Sequence, residues 1–286
     1  MLEVNISLEA TCDLENEFIE KYELSVIDMN FEVDGESFNT KTDNVVSTRL
    51  YEKMIQKKKT GTSQINDYSY EEHFKKLLEN GKPVLHLALS SGLSGTIDGA
   101  RRVAEELNKI SKNKIYVIDS LAACSGQGLL GMILRDYSKY CKTFEELVEY
   151  AEKMKHRVYH YFTVETLTYL ANGGRLDSKA AFFGNLLNIK PVMHMSRLGK
   201  LEVMHKVISR KKSISSIASL TIKAIDESYP YCFIAHANSV SDALTMKTKI
   251  EEGMNIKPIL VNLGPVIGSH SGPGTLAVFF VGKEEV

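Results

Sequence analysis

Val84-Leu85-His86-Leu87-Ala88-Leu89, followed at once by Ser90-Ser91-Gly92-Leu93-Ser94-Gly95-Thr96, decides the fold class. A run of six mostly apolar residues fits a strand buried on both faces. The small, hydroxyl-rich stretch after it fits a loop that opens a helix over 97–110. Outward from this unit the alternation continues, with a strand over 115–118 and a helix over 128–140. Strands alternating with helices through Gly/Ser loops predict parallel βαβ units with right-handed crossovers.

Further on, Thr143 with Glu146 three residues later reads as a capping box for a helix to about 154. A strand over 158–164, a helix over 178–187, and a hairpin over 189–195 and 201–207 around Gly199 follow. Then come a helix over 214–227, a strand over 231–236, a helix over 240–251, and strands over 256–261 and 275–281. The expected fold class is α/β in two domains. An N-terminal Rossmann-like domain with a parallel sheet spans 1–155, and a C-terminal α/β domain with a mixed or antiparallel sheet spans 156–286.

Composition agrees with this reading. The chain has 286 residues, which at roughly 150 per domain is about two domains. Its 43% hydrophobic content excludes intrinsic disorder. With 35 Lys+Arg against 36 Asp+Glu, no nucleic-acid partner is expected. Cys12, Cys124, Cys141 and Cys232 form no CxxC pair and no metal cluster, so no metal site is expected and a reducing compartment fits. The opening MLEVNISLEA carries an acid where a secretory leader is basic, and no apolar run reaches membrane-spanning length. The expectation is a cytoplasmic protein without stable membrane insertion.

The loop Ser90 to Thr96 lies at a strand's carboxyl end and a helix's amino end, where converging backbone N–H groups and hydroxyls favour an anion. A turn of small residues with Ser and Thr capping the helix explains the same letters. It is not a P-loop, since no Lys follows the glycines, and its register gives no GxSxG elbow around Ser94. Gly126-Gln127-Gly128-Leu129-Leu130-Gly131 matches GxGxxG by letter but does not follow its strand directly, so close helix packing accounts for it better than a dinucleotide. His270, within 264–274, reads as a donor to an anion or as a brace for a loop joining two strands. Gly173-Gly174-Arg175 reads as a helix stop followed by a cation, and Arg210-Lys211-Lys212 as a solvated helix start. No paired carboxylates and no Ser/His/Asp arrangement are visible. The residue types favour binding over catalysis, and no catalytic residue or cofactor is expected.

Thr62-Ser63-Gln64, the SSGLSGT run, Ile118-Asp119-Ser120, Gly173-Gly174-Arg175, Leu187-Asn188-Ile189-Lys190-Pro191 and GPVIGSHSGPG, taken in order across nearly the whole chain, resemble the DegV family. The resemblance implies a long-chain fatty acid in a buried tunnel, presented to a separate ATP-binding fatty acid kinase subunit that forms an acyl-phosphate for phospholipid synthesis. It places carboxylate ligands at Thr62, Ser94 and His270, with Ser63, Gly95 and Thr96 supporting the anion loop. Arg175, Lys206 and Arg210 are expected to dock the kinase subunit from the surface. Phe182, Phe183, Leu186, Leu187, Met193 and Met195 would line the tunnel or pack the core. Burying about 14 methylenes at about 0.8 kcal/mol each would give roughly 11 kcal/mol before ordering costs, so neutral donors would suffice for the head group. The chain departs from the family pattern at Glu9-Ala10, where the family has Asp-Ser, at Ile65 for Pro, and at Ile208 for Arg. The competing reading is a stand-alone phosphotransferase using SSGLSGT for phosphate.

Overall fold

The computed structural model describes residues 2–40, 46–176 and 189–286. Its strands are β1 (Asn5–Glu9), β2 (Leu24–Ile27), β3 (Asn30–Val33), β4 (Glu36–Asn39), β5 (Thr60–Thr62), β6 (Val84–Ala88), β7 (Ile115–Asp119), β8 (Val158–Thr163), β9 (Ile189–Met195), β10 (Leu201–Ile208), β11 (Cys232–His236), β12 (Ile259–Asn262) and β13 (Leu276–Val281).

Strands β2-β1-β6-β7 form a fully parallel sheet. Every residue of β6 is buried, as an unbroken apolar strand predicts when both faces are covered. The helix Thr96–Ile110 buries Ile97, Ala100, Val103, Ala104 and Leu107 at helical spacing and leaves its charges in solvent. Strands β10-β9-β8-β13-β11-β12 form the second sheet, antiparallel except for the β11/β12 pair. The α/β reading with a parallel sheet followed by a mixed one therefore holds.

Between the sheets runs the helix Ser125–Ser138, buried on nearly every side. A Cβ at Gly126 would lie 2.2 Å from His160 Nε2 of the second sheet. One at Gly128 would meet Leu14 at 2.4 Å, and one at Gly131 would meet Leu8 of the first sheet at 2.9 Å. The GxGxxG letters are thus packing glycines that let one helix touch both sheets. A single hydrophobic core runs across this contact, joining Leu8, Leu87, Leu130, Phe162 and Phe279.

The capping box forms, with Thr143 Oγ1 accepting from the Glu146 amide and the Glu146 carboxylate accepting from the Thr143 amide. The hairpin turns at Gly199, whose φ of +66° is open to glycine. Residues 264–274 differ from the expected loop, because Pro265 sits at the first turn of a short helix, Pro265–Ser271, that Gly272 ends with φ +82°. Upstream of residue 80, where no strand–helix alternation is visible, β4-β3-β5 form a small antiparallel sheet that carries Thr62 opposite Phe31. The expected helix over 178–187, with Phe182, Phe183, Leu186 and Leu187, lies outside the described residues.

Candidate functional site

A cavity of about 210 Å³ opens where the two sheets face each other. The parallel sheet brings to it the segments after β6 and β7, including Leu89, Leu93, Ser94, Ala123 and Cys124. In the strand order β2-β1-β6-β7 the connections diverge between β1 and β6, and crevices at such a point are where open α/β sheets receive ligands. The second sheet supplies a wall of Phe162, Met195, Leu201, Ala277 and Phe279. Alternation along β13 sends Ala277 and Phe279 to this side and Val278 and Phe280 into a separate core behind the sheet.

Polar groups gather at one end. Thr62 Oγ1 and His270 Nε2 lie 2.7 Å apart, joining the small sheet to the helix Pro265–Ser271. Burial, assisted by the nearby charge of Arg175, pushes His270 down to about 4, so the imidazole is neutral at pH 7. Ser94 Oγ accepts from the Thr96 amide at 3.3 Å, which leaves its own proton to donate. Ser63, Gln64, Arg175, His160, Ser271 and Thr275 also line the cavity.

Arg175 corrects the sequence reading. It does not stand off the surface, because the helix Thr168–Asn172 ends against His270, where a Cβ at Gly173 would lie 2.6 Å from the ring. The chain reverses at Gly174, φ +71°, and folds the guanidinium back against the loop 90–95. There Nε donates to Leu93 O at 2.9 Å and Nη1 to Gly173 O at 2.6 Å.

Arg210 also turns inward, donating to Asp242 Oδ2 at 2.8 Å and to Gly274 O at 2.7 Å, so an internal ion pair replaces the expected solvated cation. Lys206 lies exposed on β10, an edge strand, as does Ile208. Gly95 and Thr96 are not brought to the cavity. The Thr96 side chain is buried, and its hydroxyl meets Tyr70 Oη at 2.9 Å. Met195 lines the cavity, whereas Met193 is packed in the core. Ser90 serves a packing role, donating to Gly199 O at 2.7 Å and so tying the loop to the hairpin turn. No group of residues suited to hold a metal ion occurs among the described residues.

A family model described as an uncharacterised protein of the DegV family matches residues 3–283. The chain belongs to the DegV family. A DegV domain-containing protein from Clostridium perfringens is 34% identical over 281 residues, covering 97% of each chain. Among solved structures, a DegV lipid-binding protein from Thermotoga maritima is 26% identical with a TM-score of 0.83, covering all of both chains. DegV, a fatty acid binding protein from Bacillus subtilis, is 25% identical with a TM-score of 0.85, covering 99% of this chain and 100% of that one. Fatty-acid binding is thus described for DegV relatives that share this whole architecture.

Thr62, Ser94 and His270, which the family resemblance had grouped, line the same cavity. Gln64, Leu89, Phe162, Ala277 and Phe279 were missed. For Phe162, Ala277 and Phe279 the available signal was the two-residue period within β8 and β13, which separates cavity side from core side.

Proposed function

We propose that this protein binds a long-chain fatty acid, with the acyl chain along Phe162, Met195 and Phe279 and the carboxylate at Thr62, Ser94 and His270. The cavity lies between an N-terminal domain, 1–155, and a C-terminal domain, 156–286. The observation that carries this reading is the neutral Thr62–His270 pair, with Ser94, in a mostly apolar cavity. Neutral donors hold a carboxylate, and burial of the methylenes supplies most of the affinity. Arg175 adds a positive charge to the same lining.

The bound acid is presented to a separate ATP-binding kinase subunit in the cytoplasm, and the chain contributes no catalytic residue and no cofactor of its own. Of the cations considered for docking, Lys206 on the exposed edge strand is best placed. No described helix is long and apolar enough to cross a membrane. Native mass spectrometry of freshly purified protein tests the binding step. A mass increment matching one long-chain fatty acid, lost on solvent extraction, is expected. Protein that carries no lipid and takes up none after delipidation and incubation with palmitate would overturn the reading.

A further inference from the structure

Glu9 is the last residue of β1, and its side chain is fully buried. Holding an ionisable group there costs several kcal/mol unless fixed donors meet it. Two donors do. The Leu89 amide, just past the end of β6, donates to Oε2 at 2.8 Å, and the Tyr70 hydroxyl donates to Oε1 at 2.5 Å. Because the Tyr70 proton is committed to Glu9, the Thr96 hydroxyl is the donor in its 2.9 Å contact with Tyr70. Leu89 and Thr96 are the residues immediately before and after the loop 90–95. His86 lies beneath, its Nε2 3.8 Å from Glu9 Oε1 and its Nδ1 2.9 Å from Ser7 Oγ.

We propose that Glu9 is a positioning residue that clamps both ends of the ligand loop, one directly through Leu89 and the other through Tyr70 and Thr96, and so fixes where Ser94 presents its hydroxyl. This rests on the fatty-acid reading only for its functional consequence; the clamp itself is a statement about the ligand-free loop. Two acceptor oxygens are required because two donors converge from different directions. A glutamine at this position has one oxygen and turns an N–H₂ toward one of them. Thr96 thereby takes a different part from the one its place in the SSGLSGT run implied. It reaches the ligand through the Ser94 hydroxyl, whose orientation its amide sets at 3.3 Å.

The test uses full-length delipidated protein in four forms: unaltered, Tyr70→Phe, Thr96→Val and Thr96→Ser. The first two substitutions remove one hydroxyl each and little volume. Amide hydrogen exchange in the segment 90–96 and palmitate affinity are read for each. Tyr70→Phe and Thr96→Val should speed exchange in this segment and weaken palmitate binding about tenfold, while Thr96→Ser, which keeps the hydroxyl, restores both. A merely structural role would lower the melting temperature without exchange changes concentrated in this loop. Folded Tyr70→Phe and Thr96→Val proteins with unchanged loop exchange would overturn the clamp. Faster loop exchange in a protein that binds no palmitate in any form would leave the clamp standing and remove the fatty-acid reading instead.

Discussion

The two sheets serve the cavity in opposite ways. The parallel sheet lends only what lies beyond its strand ends, and the polar end is completed by Thr62 and His270 from short elements outside either large sheet. The mixed sheet lends a strand face, with Phe162 on β8 and Ala277 and Phe279 on β13 pointing into the cavity. Those same phenylalanines belong to the core that joins the sheets, whereas Ser94 and Thr62 are only partly buried. Wall residues are therefore answerable to stability and mouth residues to the ligand.

The largest effect should come from the wall. Phe279→Ala removes a buried ring from the shared core and should cost about 3–5 kcal/mol of unfolding free energy by urea titration. It should also weaken fatty-acid binding. If it weakens binding with stability unchanged, the wall is not part of the core and the contrast between the sheets collapses.

At the mouth, Ser94→Ala and Thr62→Ala should each weaken fatty-acid binding by about 1.5–3 kcal/mol, the worth of a hydrogen bond to a charged group. Isothermal titration reads the affinity, and melting temperatures should stay close to that of the parent. Undiminished affinity in both variants would remove the head-group assignment.

How much of this was legible follows the same division. Hydroxyls, glycines and a histidine amid small residues stand out as letters, but it was the resemblance to the DegV family that grouped Thr62, Ser94 and His270, and all three line the cavity. Arg175 was misplaced because a Gly-Gly stop specifies a reversal but not its direction, which is set by the close approach of Gly173 to His270, nearly a hundred residues away. Thr96 was misplaced because its partner, Tyr70, reaches it from another helix. Helix Pro265–Ser271 was hidden by its glycines, which read as loop until Pro265 is seen to start a turn. The small sheet β4-β3-β5 has strands of three or four residues, too short for a period to show.

Acid sets a smaller effect on the mouth. His270 is held at about 4 against an ordinary 6.5, so between these values the unfolded chain takes a proton that the folded one refuses. Its contribution to stability is present above pH 6.5 and is lost as the pH falls to 4. Discounted for partial exposure, this amounts to about 1–2 kcal/mol. His160, also held at about 4, and His73, at about 3, act in the same direction, whereas Asp13, raised to about 7 by burial, acts in the opposite one, so the His270 part is read as a difference between variant and parent. Relative to the parent, His270→Gln should gain by about that amount between pH 7 and pH 4.5 in urea titrations. A constant difference between the two proteins would mean that His270 does not titrate as its burial requires.

The smallest effect belongs to the exposed edge of the mixed sheet, away from both wall and mouth. Lys206 is exposed on β10 and does not line the cavity, so its substitution should leave the buried ligand untouched. A cation at the rim of an interface acts mainly on the encounter rate, and its effect is screened by salt. With a matching kinase subunit and ATP, Lys206→Ala should keep its fatty-acid affinity, and its bound fatty acid should be phosphorylated about two- to fivefold more slowly at low ionic strength, the deficit shrinking as salt is added. Arg210→Ala is the useful contrast, because it removes the cation from Asp242, leaving only the Ser239 hydroxyl on that oxygen, and should lower the melting temperature instead. Acyl-phosphate formation at the parent rate at every salt concentration with Lys206→Ala would move the docking surface off this edge. A Lys206→Ala protein that loses its fatty acid would show that β10 belongs to the wall after all.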